Sequence, residues 1–347
     1  MKRVILALLC FLTLLTGNCS KKPTAPVISG WEVLSIGTNI DLLKVSFVDV
    51  NNGWVIGRED SVVFHTTDGG DTWNRQVVPP VPGICGPYLP WGDVFFVDSA
   101  NGWAVTTCAR IYKTTDGGAN WVIAETSLGF GSLGEIFFTD LTHGWVDGSA
   151  SVGDWRTTDG GESWEKIQTG WDDFVDSLNG WSGFEGSIYR SYDGGLTWQS
   201  ISSPGGFVGI SLDFVDLSHG WGLVGQRVSE YDIWYWLIHT FDGGYTWEPQ
   251  LDTFKYKLGN GVGPMEMISE NTGWIAKLYG KNYENIKVSI LHTTNGGNKW
   301  LKQQLPNEIA NKFISDIDFI DELHGWAVGS AGLLLRTGNG GEPLKQL

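Results

Sequence analysis

TTDGGDTW at residues 66–73 returns along the chain as TTDGGANW (114–121), TTDGGESW (157–164), SYDGGLTW (191–198), TFDGGYTW (240–247), TTNGGNKW (293–300) and a degraded TGNGGEPL (337–344). A second phrase precedes each copy: FVDVNNGW, FVDSANGW, FTDLTHGW, FVDSLNGW, FVDLSHGW, MISENTGW and FIDELHGW. The tryptophans that close it are Trp54, Trp103, Trp145, Trp181, Trp221, Trp274 and Trp326, spaced by 49, 42, 36, 40, 53 and 52 residues. A period of about 40–50 residues is that of a four-stranded propeller blade. Each unit reads as four short strands. Strand a ends in Phe-Val-Asp, strand b starts at Gly-Trp, strand c is the run before the Asp, and strand d starts at the following Trp. Gly, Asn and Asp cluster only between these runs, as hairpins require.

Composition agrees with an all-β repeat protein. Glycine supplies 48 of 347 residues without a G-X-Y period, which excludes collagen, and 41% hydrophobic content excludes disorder. A net charge of -16 disfavours nucleic-acid binding, which depends on clustered basic residues.

The phrase S/T-x-D-G-G-x-T-W resembles the Asp-box, or bacterial neuraminidase repeat. Paired with the NGWAVG-type phrase, it resembles the propeller family of photosystem II stability and assembly factors, over residues 31–344. That resemblance implies a seven-bladed propeller and a non-catalytic scaffold or assembly role with a protein or peptide partner. The seventh Asp-box lacks its tryptophan, with Leu344 in that position, while Trp31-Glu32-Val33-Leu34 looks like a strand d without its turn. The expectation is that residues 31–36 complete the last blade and close the ring.

Residues 1–18 read as an export signal: Lys2 and Arg3 precede an apolar run from Val4 to Leu15, too short to span a bilayer. Cys19 follows in a setting that resembles a bacterial lipoprotein box. Residues 19–30 then form a lipidated tether and 31–347 the propeller. Cleavage before Cys19 leaves 21 basic and 39 acidic residues, a net charge of -18. The expected location is the bacterial cell envelope, periplasmic or on the outer-membrane surface, as a lipid-anchored monomer.

Most conspicuous side chains fall in repeat register and read as structure. Fourteen of the 19 tryptophans do so. Asp68, Asp116, Asp159, Asp193 and Asp242, with Asn295 and Asn339 in the last two copies, read as turn-closing residues, because Asn shares the acceptor but not the acid chemistry of Asp. His65, Lys113, Arg156, Arg190, His239, His292 and Arg336 share one position three before the Asp-box residue. They read as partners of neighbouring acids rather than a binding ring.

Candidate binding residues lie in the irregular b–c inserts and d–a connections, on the face where propellers usually bind. They are Tyr88, Trp91, Arg110, Tyr231, Trp234, Trp236 and Tyr283, a set of aromatics and a cation suited to a peptide or glycan. The alternation in YDIWYWLIHT equally allows Trp234 and Trp236 to extend strand c. Cys85 and Cys108 are expected to form a disulfide in an oxidising envelope. Asp173, Asp213, Glu266 and Asp318 share a strand-a position and are a weaker candidate for a cation site such as Ca²⁺, against solvated acids at the channel mouth. No cofactor is expected. The alternative to the scaffold is a secreted glycoside hydrolase or glycan-binding protein, since sialidases and xyloglucan-cleaving enzymes share the Asp-box. The Arg-Ile-Pro phrase of sialidases is absent, and the repeat reports a fold rather than an activity.

Overall fold

A computed structural model describes residues 30–342 apart from 59–61, 79–89, 126–127, 129–130, 168–169, 204–208, 228–232, 251–261, 280–286 and 310–311. Among the described residues, the strands form seven antiparallel sheets of four. In the first blade, strands a to d are Leu42–Phe47, Gly53–Gly57, Val62–Thr66 and Asn74–Val77, hydrogen-bonded in that order. Strand a is innermost: in blades one to four, six and seven it lines one axial cavity. The last blade takes a, b and c from Ile314–Phe319, Gly325–Gly329 and Leu333–Thr337, and its strand d is Trp31–Leu34 from the other end of the chain. Trp31 pairs with Thr337 and Leu34 with Leu334, so the ring closes as the sequence predicts and leaves no open edge between its ends.

A single blade buries too little to stand alone, and the Gly-Trp tryptophan supplies the missing contact. Trp54 stacks face to face on Phe96 of the next blade, with ring centroids 3.5 Å apart, and its Nε1 donates to the Gly117 carbonyl of that blade's Asp-box turn at 3.0 Å. The same donation joins Trp103 to Gly160, Trp145 to Gly194, Trp181 to Gly243, Trp221 to Gly296 and Trp274 to Gly340. Trp326 completes the circle by donating to Gly69 of the first blade. All seven indoles are fully buried. Each removes about 150–250 Å² from water, on the order of 4–6 kcal/mol as an upper bound.

The phenylalanine that receives this stack is also met edge-on by the Asp-box tryptophan of its own blade, as in Phe47 with Trp73 and Phe96 with Trp121. In the last blade Trp31 takes that place against Phe319, with centroids 5.8 Å apart and planes at 89°. It therefore replaces the tryptophan missing from the seventh repeat in packing as well as in pairing. On the other indole face lies the basic-register side chain of the same blade, with His65 on Trp54, His239 on Trp221 and His292 on Trp274.

The Asp-box itself is a turn closed by side chains. Thr66 Oγ1 donates to Asp68 and accepts from the Gly70 amide, while Asp68 accepts from the amide and hydroxyl of Thr72. Gly69 and Gly70 both have positive φ, which the carbonyl and amide directions of this turn demand. Asn295 and Asn339 accept from Thr293 and Thr337 in the same way.

The glycine before each buried tryptophan is a matter of space. A Cβ on Gly102 would stand 2.4 Å from the ring of Phe96 in the same blade. Gly102→Ala is expected to destabilise the fold by about 1–3 kcal/mol, lowering the melting temperature by about 2–5 °C in a thermal scan. An unchanged midpoint would mean that Phe96 has room to move.

Candidate functional site

The strand-a acids were candidates for a cation site, and the structure gives them another task. Asp173 accepts the Phe214 amide of the next blade at 2.6 Å, Asp213 that of Met267 at 2.8 Å and Glu266 that of Phe319 at 2.9 Å. Asp318 accepts the amide of Phe47, and in the first blade Ser46 does the same for Phe96. These side chains tie neighbouring innermost strands together. Among the described residues no group of three or more His, Cys, Asp or Glu is placed to hold a metal ion.

Two residues earlier in strand a, a second set faces the axis. The a–b pairing shifts register between Leu42 and Lys44, between Trp91 and Asp93, and between Ile314 and Asp316. A bulge re-aims the side chains beside it. Lys44, Asp93, Glu135 and Asp316 line a cavity of about 440 Å³, together with Phe95, Phe137, Trp171, Asp172, Asp173 and Glu266. Lys44 Nζ lies 3.3 Å from Glu135 and 3.9 Å from Asp316. Burial works against its charge, but Asp316, Asp93 and Glu135 outweigh that and hold the ammonium well above its usual range. Burial pushes Asp93 up to about 6 and Asp316 up to about 7, each against the pull of Lys44. Burial also pushes Asp172 up to about 7 against the amides of Gly183 and Leu212.

Acids poised near neutrality suit proton transfer, and the cavity holds them close to aromatic walls. They are nevertheless occupied. Asp93 accepts the amides of Val94 and Ile136, Asp316 that of Val45, and Asp172 that of Gly183. The arrangement is that of buried carboxyls holding the innermost strands.

The binding candidates are distributed differently from the sequence-based expectation. Trp91 is not an exposed loop residue. It begins strand a of the second blade, is buried in that blade's core, and meets Tyr112 edge-on at 6.0 Å. Arg110 begins strand c there and is buried too, its Nη1 donating to the Ala109 carbonyl at 2.7 Å. Strand register accounts for both: Trp91 and Arg110 pair with Thr106 as Ile314 and Leu333 pair with Gly329 in the seventh blade, where both are buried. Trp234 and Trp236 lie within strand c of the fifth blade, Ile233–Thr240, opposite Gln226 and Val224. Extension of strand c is therefore the reading that applies to this pair. Tyr88, Tyr231, Tyr283, Cys19 and Cys85 lie outside the described residues. Cys108 is disulfide-bonded.

The basic-register residues reach across to the next blade. Arg156 donates to the Asp193 carbonyl at 2.7 Å and pairs with Glu165, and Arg336 donates to Gly69 and pairs with Glu32 and Asp71. Lys113 pairs with Glu162 and His292 with Glu342.

The family model described as photosynthesis system II assembly factor YCF48 matches residues 24–81. Photosystem II assembly lipoprotein Ycf48 of Synechococcus sp. (strain CC9902) is 26% identical over 349 residues, covering 93% of this chain and 92% of its own. The chloroplastic photosystem II stability/assembly factor HCF136 of Arabidopsis thaliana is 25% identical over 341 residues, covering 89% of this chain and 79% of its own. Along nearly its whole length the chain is thus similar to photosystem II assembly factors. In fold, this propeller matches the solved structure of YCF48 bound to D1 peptide with a TM-score of 0.64 at 20% identity, over 89% of this chain and 97% of that one. It also matches the GH74 xyloglucanase from Xanthomonas campestris, with a TM-score of 0.65 at 12% identity, but spans only 54% of that enzyme.

The channel carboxyls give the propeller a pH signature. Their folded-state values lie above the ordinary 3.8, so the folded chain binds more protons than the unfolded one between about pH 4 and 7. Their contribution to stability therefore falls as pH rises through that window. The a–b turn aspartates act oppositely. Partial burial raises Asp140, but its hydrogen bonds to Thr142 and His143 outweigh this and hold it at about 2, so its contribution is lost only in acid. Asp172→Asn keeps an acceptor for Gly183 while removing a buried charge. It is expected to raise stability at pH 8 and to flatten the decline between pH 4 and 7 in denaturant titrations. An unchanged pH slope would place that ionisation elsewhere.

Proposed function

We propose that this chain is a non-catalytic binding propeller with an assembly role, which takes a protein or peptide partner and works while tethered to a membrane of the bacterial envelope. The observation that carries this reading is the similarity to assembly factors along nearly the whole length of both chains. One such relative is named for binding a D1 peptide, and several are named lipoproteins. The likeness to glycoside hydrolases is of fold alone and covers about half of those enzymes. In the channel the carboxyls best suited to acid–base work are already engaged by backbone amides. Exposed loops on a rigid ring are a common way to present a binding surface without chemistry.

The tether follows from the same reading. Export directed by residues 1–18 and acylation at Cys19 leave residues 20–30, SKKPTAPVISG, as a prolyl and polar spacer. At about 3.1 Å per residue it holds the propeller within a few nanometres of the bilayer.

Two measurements test these statements. The full-length protein, incubated with xyloglucan, mixed-linkage glucan and sialosides, is expected to release no reducing sugar. Turnover abolished by Asp93→Asn or Asp316→Asn would reassign the chain to the hydrolases. In a bacterial host, labelled palmitate is expected to enter the wild-type chain and not the Cys19→Ala variant. Label absent from both would leave plain secretion as the route, and label retained by the variant would place the acylation on another residue.

A further inference from the structure

The two variable positions of the Asp-box turn carry small or polar residues in most blades, such as Thr67 with Asp71 and Thr158 with Glu162. Two adjacent blades break that habit. The fourth has Tyr192 and Leu196, the fifth Phe241 and Tyr245. The a–b turns beside them carry Leu178 and Leu217, and all six side chains are between 37% and 57% exposed. The turns of each blade are joined, since the Gly194 amide donates to the Leu178 carbonyl and the Gly243 amide to the Ser218 carbonyl. The two blades are joined as well, by a 2.8 Å hydrogen bond between the hydroxyls of Tyr192 and Tyr245. The result is an apolar surface carried on hydrogen-bonded a–b and c–d turns of two adjacent blades.

Neither repeat packing nor pairing accounts for it. These positions lie outside the Trp–Phe stack, and the same turn closes with Thr67 and Asp71 in their place. Large exposed aromatics on a preorganised frame are what interface anchors need, because little side-chain freedom is left to lose. The margin of the surface is acidic, formed by Asp176, Asp193, Asp216, Asp242 and Glu248. The first four are held below the ordinary carboxylate range by turn hydrogen bonds that outweigh their partial burial. The cations of this region are engaged: Arg156 donates to the Asp193 carbonyl and pairs with Glu165, and Arg190 is buried, its guanidinium 4.7 Å from the Trp181 ring centroid and 4.9 Å from that of Tyr192.

We propose that the a–b and c–d turns of the fourth and fifth blades form a docking surface for a protein segment that carries apolar or aromatic anchors flanked by lysine or arginine. This rests on the reading of the chain as a binding propeller and says where on it the partner sits. An anionic lipid surface is disfavoured by the same acidic margin that attracts a basic segment.

The test uses the full-length protein and a triple variant, Leu217→Ser, Phe241→Thr and Tyr245→Asp, each residue borrowed from the same turn position of another blade. Its melting temperature is expected to stay within about 2 °C of wild type, because exposed substitutions change stability little. A random twelve-residue peptide library displayed on phage is panned on the wild-type protein, and the enriched peptides are measured by fluorescence anisotropy. The expected peptides combine Leu, Ile, Phe or Trp with Lys or Arg. They are expected to bind the variant at least tenfold more weakly, to weaken with salt, and to retain affinity for Tyr192→Phe. Enriched peptides that lack basic residues, or bind the triple variant equally, would overturn the proposal. So would flotation with phosphatidylcholine–phosphatidylglycerol vesicles, or a dimer in solution, that is lost in the variant while peptide binding is not. A native partner that co-purifies equally with both proteins would remove this surface and leave the binding reading standing. Glycan turnover would remove the reading itself.

Discussion

An indole held between two blades is the contact on which the rest of this protein depends. Each Gly-Trp tryptophan lies flat on the phenylalanine or methionine of the next innermost strand and hydrogen-bonds that blade's Asp-box turn. One side chain thus joins the core of one blade to the turn of another. The requirement explains the glycine before it, since the phenylalanine ring of the same blade occupies the space of a Cβ. It also explains the Asp-box, whose side-chain hydrogen bonds aim a carbonyl at the incoming indole. The two repeated phrases are halves of one joint.

A ring of such joints leaves strand a facing an axis where its amides and side chains crowd together. Acids that accept amides from the neighbouring strand settle the backbone there, at the cost of burying negative charge around Lys44. The raised values of Asp93, Asp172 and Asp316 record that tension. Similar carboxyls in a hydrolase would have to be free to meet a substrate. Here their lone pairs are committed to the ring.

The proposed docking surface lies away from both the joints and the axis. The irregular inserts depart from the repeat in length. The apolar turns of the fourth and fifth blades depart from it only in residue type, at Tyr192, Leu196, Phe241 and Tyr245, inside a phrase whose regularity makes it look purely structural. The signal was present in the alignment of the repeats with one another: aromatic residues at positions that the turn does not use.

Blade number, strand order and the closing role of Trp31 were all legible in the amino-acid sequence, because a repeat that must pack on its own copies writes the same contacts seven times. The burial of Trp91 and Arg110 was not, since neighbouring sequence that departs from the repeat makes them read as loop residues, whereas strand pairing puts them where Ile314 and Leu333 are buried in the seventh blade. Nor was the axial set of Lys44, Asp93 and Asp316, which face the channel through bulges that shift side-chain alternation by one residue. Sequence periodicity determines which residues recur, and so the ring. Only tertiary structure decides which of the residues that do not recur end up sharing a surface, because that depends on where neighbouring blades bring their turns together.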